Sequence, residues 1–134
     1  MTHYLIALYD GPDVPQLNLE DLKDVIRDVD AVAEEAKAAG VWVFGGGMGG
    51  HDTAKTVRVV DGRPMVSDGP FAETKEYLGG FSVVDVPDLD TALVWAKKLA
   101  VACRSPQEVK PFIEPPTVEM VEAWQAQQKT EQKD

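Results

Sequence analysis

The apolar positions of this chain recur with two different periods, and the changes of period divide it into strands and helices. Short runs of branched and aromatic residues predict strands, whereas apolar residues three and four positions apart predict one face of a helix. The predicted strands are residues 4–9, 41–44, 56–60, 64–67, 81–86 and 108–113. Three predicted helices begin near residues 18, 88 and 117.

The first helix has the clearest local signals. Asn18 is a suitable N-cap, and Glu20 and Asp21 place negative charge at the positive end of the helix dipole. Gly40 suits the position after the last turn, where a positive φ is common. We therefore predict a long helix between Asn18 and Gly40, with its charged residues on a solvated face.

Glycine and proline mark the connections. Five glycines among residues 45–50 remove any preference for regular structure, so we predict an irregular loop there. Asp61-Gly62 predicts a tight hairpin turn. Pro111 indicates that the last strand lies at an edge of the sheet or ends there. Pro115-Pro116 separates a predicted domain, residues 1–114, from a tail, residues 115–134, that is helical to about residue 128 and disordered after it.

The element order is β-α-β, a hairpin, and β-α-β, which predicts an α+β fold of ferredoxin-like plan with an inserted β-hairpin. The first strand is predicted to be central. Two helices cover one face of such a sheet and leave the other open, with Leu5, Ala7, Val43 and Val83 predicted to be exposed there. An open apolar face of this kind indicates a partner surface.

Composition narrows the classes of function. The chain has 134 residues, 13 Lys and Arg against 23 Asp and Glu, and a net charge of −10, which disfavours nucleic acid and anionic membranes as partners. Cys103 is the single cysteine, and two distant histidines with it predict no metal site or disulfide. No apolar run approaches the length of a membrane span, no signal peptide is recognisable, and no cofactor motif is present, so we expect a cytoplasmic protein without a cofactor.

Residues 67–81, here called the signature, join a stiff turn to a cluster of unlike charges. Gly69 can take a positive φ, and Pro70 has a fixed φ and no donor, so the segment after them is held in place. Two interpretations stay open. In one, the signature is a binding site, with Asp68 also a candidate catalytic acid. In the other, it is a conformational device with a surface ion pair. The candidate ligand-binding residues are Asp68, Gly69, Pro70, Phe71, Glu73, Lys75 and Glu76.

His51 ends the glycine-rich stretch and is the second catalytic candidate. Its imidazole could act as a general base near neutral pH, with Asp52 or Asp68 orienting the ring. A solvated loop histidine is the simpler interpretation of the same residue. The glycines before His51 match neither a dinucleotide-binding nor a P-loop pattern, so a phosphate site is not expected.

The signature resembles that of the YCII-related superfamily, and specifically the DGPF-domain branch, which is named for Asp68-Gly69-Pro70-Phe71. The similarity extends over residues 4–112 and includes residues 56–62, 79–81 and 85–96. The resemblance implies a dimeric α+β barrel, hence a homodimer whose two sheets pack together. The superfamily is associated with a His-Asp pair at a dimer pocket, but no local motif aligns His51 with that histidine.

Two classes of function follow. In the first, the protein binds a small polar molecule in a pocket beside the signature, with or without catalysis. In the second, which the resemblance implies, it is a non-enzymatic module associated with an extracytoplasmic-function sigma factor. A concave pocket would favour the first class, and a filled core with an exposed apolar patch beside the tail would favour the second.

Overall fold

A four-stranded antiparallel sheet forms the centre of the protein in a computed structural model that describes residues 1–12, 14, 16–70, 75–113 and 115–132. A separate two-stranded ribbon and three α-helices complete the fold, so the α+β class predicted from the sequence is confirmed. The elements are β1 (Thr2–Asp10), α1 (Leu19–Ala38), β2 (Trp42–Gly47), β3 (Lys55–Val60), β4 (Arg63–Asp68), β5 (Tyr77–Val86), α2 (Leu89–Cys103), β6 (Gln107–Pro111) and α3 (Val118–Gln132).

The sheet has the strand order β2-β5-β1-β6. The predicted central position of β1 is confirmed, because it pairs with β5 on one side and β6 on the other. The prediction that Pro111 marks an edge strand is confirmed as well, since β6 has β1 as its one neighbour among the described strands.

Helix α1 begins and ends at the residues that its local signals indicate. The Asn18 side chain accepts a hydrogen bond of 2.8 Å from the backbone N–H of Asp21, which satisfies one of the free donors of the first turn. At the other end Gly40 has a φ of +74°, and the N–H of Val41 bonds back to the carbonyl of Ala36 at 3.0 Å. These bonds close the last turn and aim the chain into β2.

Two strands extend beyond their predicted bounds, and one of them enters the stretch that was predicted to be irregular. β2 continues through Gly45, Gly46 and Gly47, because each of these residues pairs with β5. β5 in turn begins at Tyr77 instead of residue 81, so the Gly79-Gly80 pair lies within it. The low strand preference of glycine is overridden here by pairing with neighbouring strands.

The predicted hairpin is present as the ribbon β3–β4. Asp61 and Gly62 have φ values of +51° and +78°, which fits a two-residue turn with both central residues in the left-handed region. Val60 and Arg63 are paired directly beside the turn. The ribbon does not join the main sheet among the described residues.

The core lies between the sheet and helices α1 and α2. Tyr4 and Ile6 of β1 alternate toward the helices, as do Val84 and Val86 of β5. The residues that pack against these strands are Ala36 of α1 and Ala92, Trp95, Ala96 and Leu99 of α2. One sheet face is therefore covered by helices, as predicted.

The prediction for the opposite face is wrong at two positions. Ala7 and Val83 are only 1% and 9% exposed, whereas Leu5 is half-buried and Val43 is exposed. Ala7 is paired with Phe81, and Val83 is paired with Leu5, so larger neighbours shield these shorter side chains. α3 continues to Gln132, four residues beyond its predicted end, and has no buried residue.

Candidate functional site

The signature turn is fastened to the start of β3. Gly69 has a φ of +96°, which confirms the predicted left-handed conformation. Its N–H donates to the carbonyl of Ala54 at 2.9 Å, and the hydroxyl of Thr56 donates to the Gly69 carbonyl at 2.8 Å. Thr56 is buried, so the second of these bonds is shielded from water. The turn at Gly69-Pro70 is therefore held from both sides.

Asp68 lies on the exposed surface of the ribbon. It is paired with Lys55 across the hairpin, and its carboxylate forms an ion pair with the Lys55 ammonium group. The Asp68 side chain is 90% exposed, and an ion pair between such exposed groups contributes less than about 1 kcal/mol. At Asp68 this geometry favours the conformational interpretation over the catalytic one. Phe71 and Glu73 lie outside the described residues.

Within the signature, the chain returns to the end of β1 at Lys75. A Cβ added at Gly11 would overlap the carbonyl of Lys75, so the two backbones are in close contact. Beside this contact is a cavity of about 420 Å³, here called the signature-side cavity. Its lining residues are Tyr9, Gly11, Val14, Glu76, Pro106, Gln107 and Glu108. Of the signature residues expected to bind a ligand, Glu76 contributes directly to its wall.

The signature-side cavity combines a mainly apolar surface with four polar side chains. Glu76 and Glu108 provide carboxylates, Tyr9 provides a phenol and Gln107 provides an amide. Ionised carboxylates accept hydrogen bonds and do not donate them, and bonds to charged groups are stronger than neutral ones. The cavity is therefore suited to a ligand that carries hydroxyl or amino groups beside some apolar surface.

His51 lies in a short 3-10 helix, His51–Thr53, and its ring stacks on Tyr77 at the start of β5. The ring centroids are 4.3 Å apart and the planes are inclined by 24°. Within the described ranges, no hydrogen bond or ion pair joins the ring to Asp52 or Asp68. The expected orienting carboxylate is thus not brought to His51, and Tyr77 takes the place of that partner.

A second and larger cavity was not expected from the sequence. It has a volume of about 580 Å³, lies between α1 and the glycine-rich end of the sheet, and is here called the helix-side cavity. It shares Val14 and Gln107 with the signature-side cavity. The sequence signal that could have indicated it is the pair of glycine clusters, 45–47 and 79–80, opposite an apolar helix face.

Cys103 lines the helix-side cavity, and burial raises the pKa of its thiol. A raised pKa lowers the thiolate fraction at neutral pH, so Cys103 has the properties of a structural thiol and not of a nucleophile. No cluster of three or more metal-ligating side chains occurs in the described part of the chain. The helices described there include none that is long and apolar enough to cross a membrane.

Comparison of the sequence with known proteins identifies the family to which it is similar. The sequence matches the YCII-related domain over residues 2–114. It is also 36% identical, over 112 residues, to an uncharacterized protein of Rhizobium meliloti (strain 1021), and the alignment covers 81% of this chain and 90% of the relative. The name of that relative states no activity, so the similarity indicates a family and not a reaction.

Proposed function

The chain belongs to the YCII-related domain family, and from that premise we propose that it binds a small polar molecule in the signature-side cavity. The family expected from the signature residues is confirmed, whereas the DGPF branch stays a prediction. The observation that carries the proposal is the convergence of Tyr9, Glu76, Gln107 and Glu108 on one cavity beside the signature. Concave sites with a few convergent polar groups are the usual ligand sites of proteins.

The ligand class follows from charge. Glu76 and Glu108 are both acidic, and the whole chain carries a net charge of −10. A field of this sign raises the local concentration of cations and disfavours anions. Lys75 precedes Glu76 and can bind an acceptor on the same molecule. We therefore propose a polyhydroxylated or amine-bearing ligand, with the turn at Asp68, Gly69 and Pro70 fixing the start of the segment that leads to Lys75 and Glu76. Binding by Phe71 and Glu73 stays a prediction from the sequence.

The test is a thermal-shift screen of small polyols and amines, followed by titration calorimetry on any compound that raises the Tm. Lys75→Ala and Glu76→Gln should each weaken binding at least tenfold while leaving the unliganded Tm within about 2 °C, because both residues are exposed. Glu119→Gln, an exposed change on α3, is the matched control and should bind normally. Unchanged binding in both signature variants would reject this site.

We propose that His51 acts through its stacking on Tyr77, by fixing the start of β5 directly after Glu76, and not as a base. Stacking on Tyr77 holds the ring at the first residue of β5, directly after Glu76. His51→Phe preserves an aromatic ring, so we expect it to retain binding of the screened ligand, whereas His51→Ala should weaken binding. Loss of binding in both variants would show that the imidazole nitrogens are required.

We also propose that the protein is a homodimer of ferredoxin-like subunits. If the β3–β4 ribbon is set aside as an insertion, the four strands of the main sheet can be numbered 1 to 4 along the chain. Their order across the sheet is then 2-3-1-4, which supports the ferredoxin-like plan. Phe44 is 61% exposed although it packs against Phe81 on the face opposite the helices, with ring centroids 5.9 Å apart. Exposed aromatic residues on an open sheet face are typical of an interface.

Light scattering tests the homodimer. The wild type should have about twice the chain mass of 14.6 kDa at micromolar concentration. Phe44→Ser should shift the mass toward that of the monomer, whereas Val101→Ser, at a residue that is 79% exposed on α2, should not. A wild-type monomer at this concentration would reject the barrel arrangement.

The second candidate function, a module associated with an extracytoplasmic-function sigma factor in the cytoplasm, is favoured by a different observation. Phe112 and Ile113, beside the tail, and Val118, within it, are all exposed and apolar. Such a patch suits a protein partner. If the screen finds no ligand and Phe112→Ser abolishes binding to a purified sigma factor from the same genome, this candidate replaces the first.

A further inference from the structure

We propose that the helix-side cavity is a second ligand site, which takes a small molecule with an apolar body and a protonated amine. The apolar body lies between α1 and the glycine positions of the sheet, and the amine pairs with the carboxylate of Asp10. This site is separate from the polar site proposed above, although the two cavities meet at Val14 and Gln107.

The cavity lies over glycine positions of β2 and β5, and its open volume is above Gly47. Leu8, Gly80 and Gly47 are neighbours in one row across β1, β5 and β2, and Gly45 follows in the next row. A Cβ added at Gly47 would have nothing within 4 Å, so the space above it is open. At a typical sheet position, a side chain would fill this volume.

Helix α1 forms the opposite wall and stands away from the sheet at its N-terminal end. Its one buried residue in the described structure is Ala36, near the C-terminal end. Val25, Ile26 and Val29, which are earlier in the helix, face the cavity, and Ile26 is 62% exposed. Val25 and Val29 are half-buried, so part of this apolar surface remains in contact with water, and an apolar ligand would remove it.

Asp10 provides the polar end of the site. It is the last residue of β1. Just before it the pairing of β1 with β5 skips one residue of β5: Leu8 pairs with Gly80, and Tyr9 pairs with Leu78. A Cβ at the skipped residue, Gly79, would overlap the Asp10 carboxylate. Glycine at this position therefore allows the carboxylate to lie over β5 at the end of the cavity.

The charges of the lining favour a cation as the ligand group. Lys37 is paired with Glu34 at 3.1 Å, and Arg104 with Asp28 at 3.6 Å, so both cations of the lining already have acidic partners. The carboxylate of Asp10 has no hydrogen bond or ion pair with residues in the described ranges. A carboxylate in a largely apolar cavity binds a protonated amine more strongly than a neutral donor and repels an anion.

Ser105 adds a second polar position. Its hydroxyl oxygen is shielded from solvent and has no hydrogen-bond partner among the described residues, and Ser105 contributes to the cavity wall. A shielded hydroxyl without a hydrogen-bond partner lowers the stability of the fold unless a ligand or a water molecule supplies that partner. With a volume of about 580 Å³, the cavity is within the range of ordinary ligand sites, roughly 300–1,000 Å³.

Three probes with one apolar body test the ligand class: 4-phenylbutylamine, 4-phenylbutanol and 4-phenylbutyrate. Calorimetry at pH 7 should show the amine binding at least tenfold more tightly than the carboxylate, with the alcohol between them. The amine should also slow maleimide labelling of Cys103, the single cysteine, since Cys103 lines the cavity. Equal affinity for amine and carboxylate, or tighter binding of the carboxylate, would overturn the assignment of the amine.

Variants then test the location. Gly47→Leu should abolish binding of all three probes by filling the cavity, whereas Val101→Leu, at an exposed position of α2 outside the cavity lining, should bind the amine normally. Asp10→Asn should bring the affinities of amine and alcohol within about twofold. Ala33→Leu fills the cavity from α1 and replaces Gly47→Leu if that variant does not fold. Amine binding that survives in a folded filled variant would place the probe elsewhere and overturn the proposal.

Discussion

The two ends of the helix-covered sheet face differ more than any other two regions of this protein. At one end, a row formed by Tyr4, Val84 and Trp42 packs against α2 and the end of α1. At the other end, the equivalent row is Leu8, Gly80 and Gly47, and a cavity takes the place of the core. The same strands and helices border both ends, so the side chains of the sheet decide which end is packed.

The difference also explains the course of α1. A helix approaches a sheet as closely as the side chains between them allow, and contact stabilises it through the apolar area that is buried. Ala36 is short and buried at the packed end, whereas the bulkier Ile26 remains exposed at the hollow end. The hollow end has thus not collapsed around its glycines. It keeps an open volume that suits a ligand site, at the expense of buried apolar area.

Among the predicted changes in the free energy of unfolding, the largest should follow removal of a large side chain. Trp95→Ala at the packed end should lower the free energy of unfolding by about 3–5 kcal/mol, because the indole is almost fully buried in the core. Ile26→Ala at the hollow end should lower it by no more than about 0.5 kcal/mol, since that side chain is largely exposed. Urea unfolding measures both values. Equal losses would mean that the two ends are packed alike.

Addition of a large side chain should give an intermediate effect. Ala92→Leu would insert three carbon atoms into a filled core and should destabilise the protein by about 1–3 kcal/mol. Ala33→Leu adds the same atoms to α1 where it lines the cavity, and should change the stability by less than about 0.5 kcal/mol. Matched thermal and urea unfolding of this pair tests whether the volume is open in solution. A comparable loss in Ala33→Leu would contradict an open cavity.

The smallest expected effect on stability distinguishes the N-cap of α2, Asp88, from that of α1, Asn18. Asp88 accepts bonds from the N–H and hydroxyl of Thr91 at 2.8 and 2.6 Å, and these bonds lower the pKa of its carboxyl group. Because its pKa is lowered on folding, Asp88 stabilises the folded protein above the ordinary Asp pKa, and this contribution disappears as the pH falls through the lowered value. The α1 cap, Asn18, does not titrate.

Urea unfolding of wild type and Asp88→Asn between pH 5 and pH 2 measures this contribution. The variant retains a capping oxygen but has no proton to bind, so its stability should fall less steeply over this range than that of the wild type. Identical slopes would show that the Thr91 bonds are not formed in solution.

The parts of the fold that were predictable depend on neighbouring residues in the sequence. The Asn18 cap, the turn after α1 and the Asp61-Gly62 hairpin each use contacts within a few residues, and each has the predicted geometry. The extension of β2 through its glycines was not predicted, because it depends on contacts between distant parts of the sequence. Gly45, Gly46 and Gly47 have no strand preference of their own and become regular by pairing with β5, more than 30 positions away.

The candidate site shows the same division. The positive φ at Gly69 could be predicted from a four-residue pattern, but the partner of Asp68 could not, because Lys55 reaches it across a hairpin. The helix-side cavity combines residues from β1, α1, β2, β5, α2 and the loop after α2. Hydrophobic periodicity shows which helix face is apolar, and it contains no measure of how far that face stands from the sheet.

The strand order has a consequence for synthesis on the ribosome. β1 is made first, yet its partners are β5 and β6, with Thr2 pairing to Val86 and Tyr4 to Pro111. Until residue 77 emerges, β1 and β2 have no neighbour in the main sheet, and only α1 and the β3–β4 hairpin can form from local contacts. The sheet therefore assembles after most of the chain has been translated, and the apolar first strand is exposed to chaperones and to other nascent chains throughout that time.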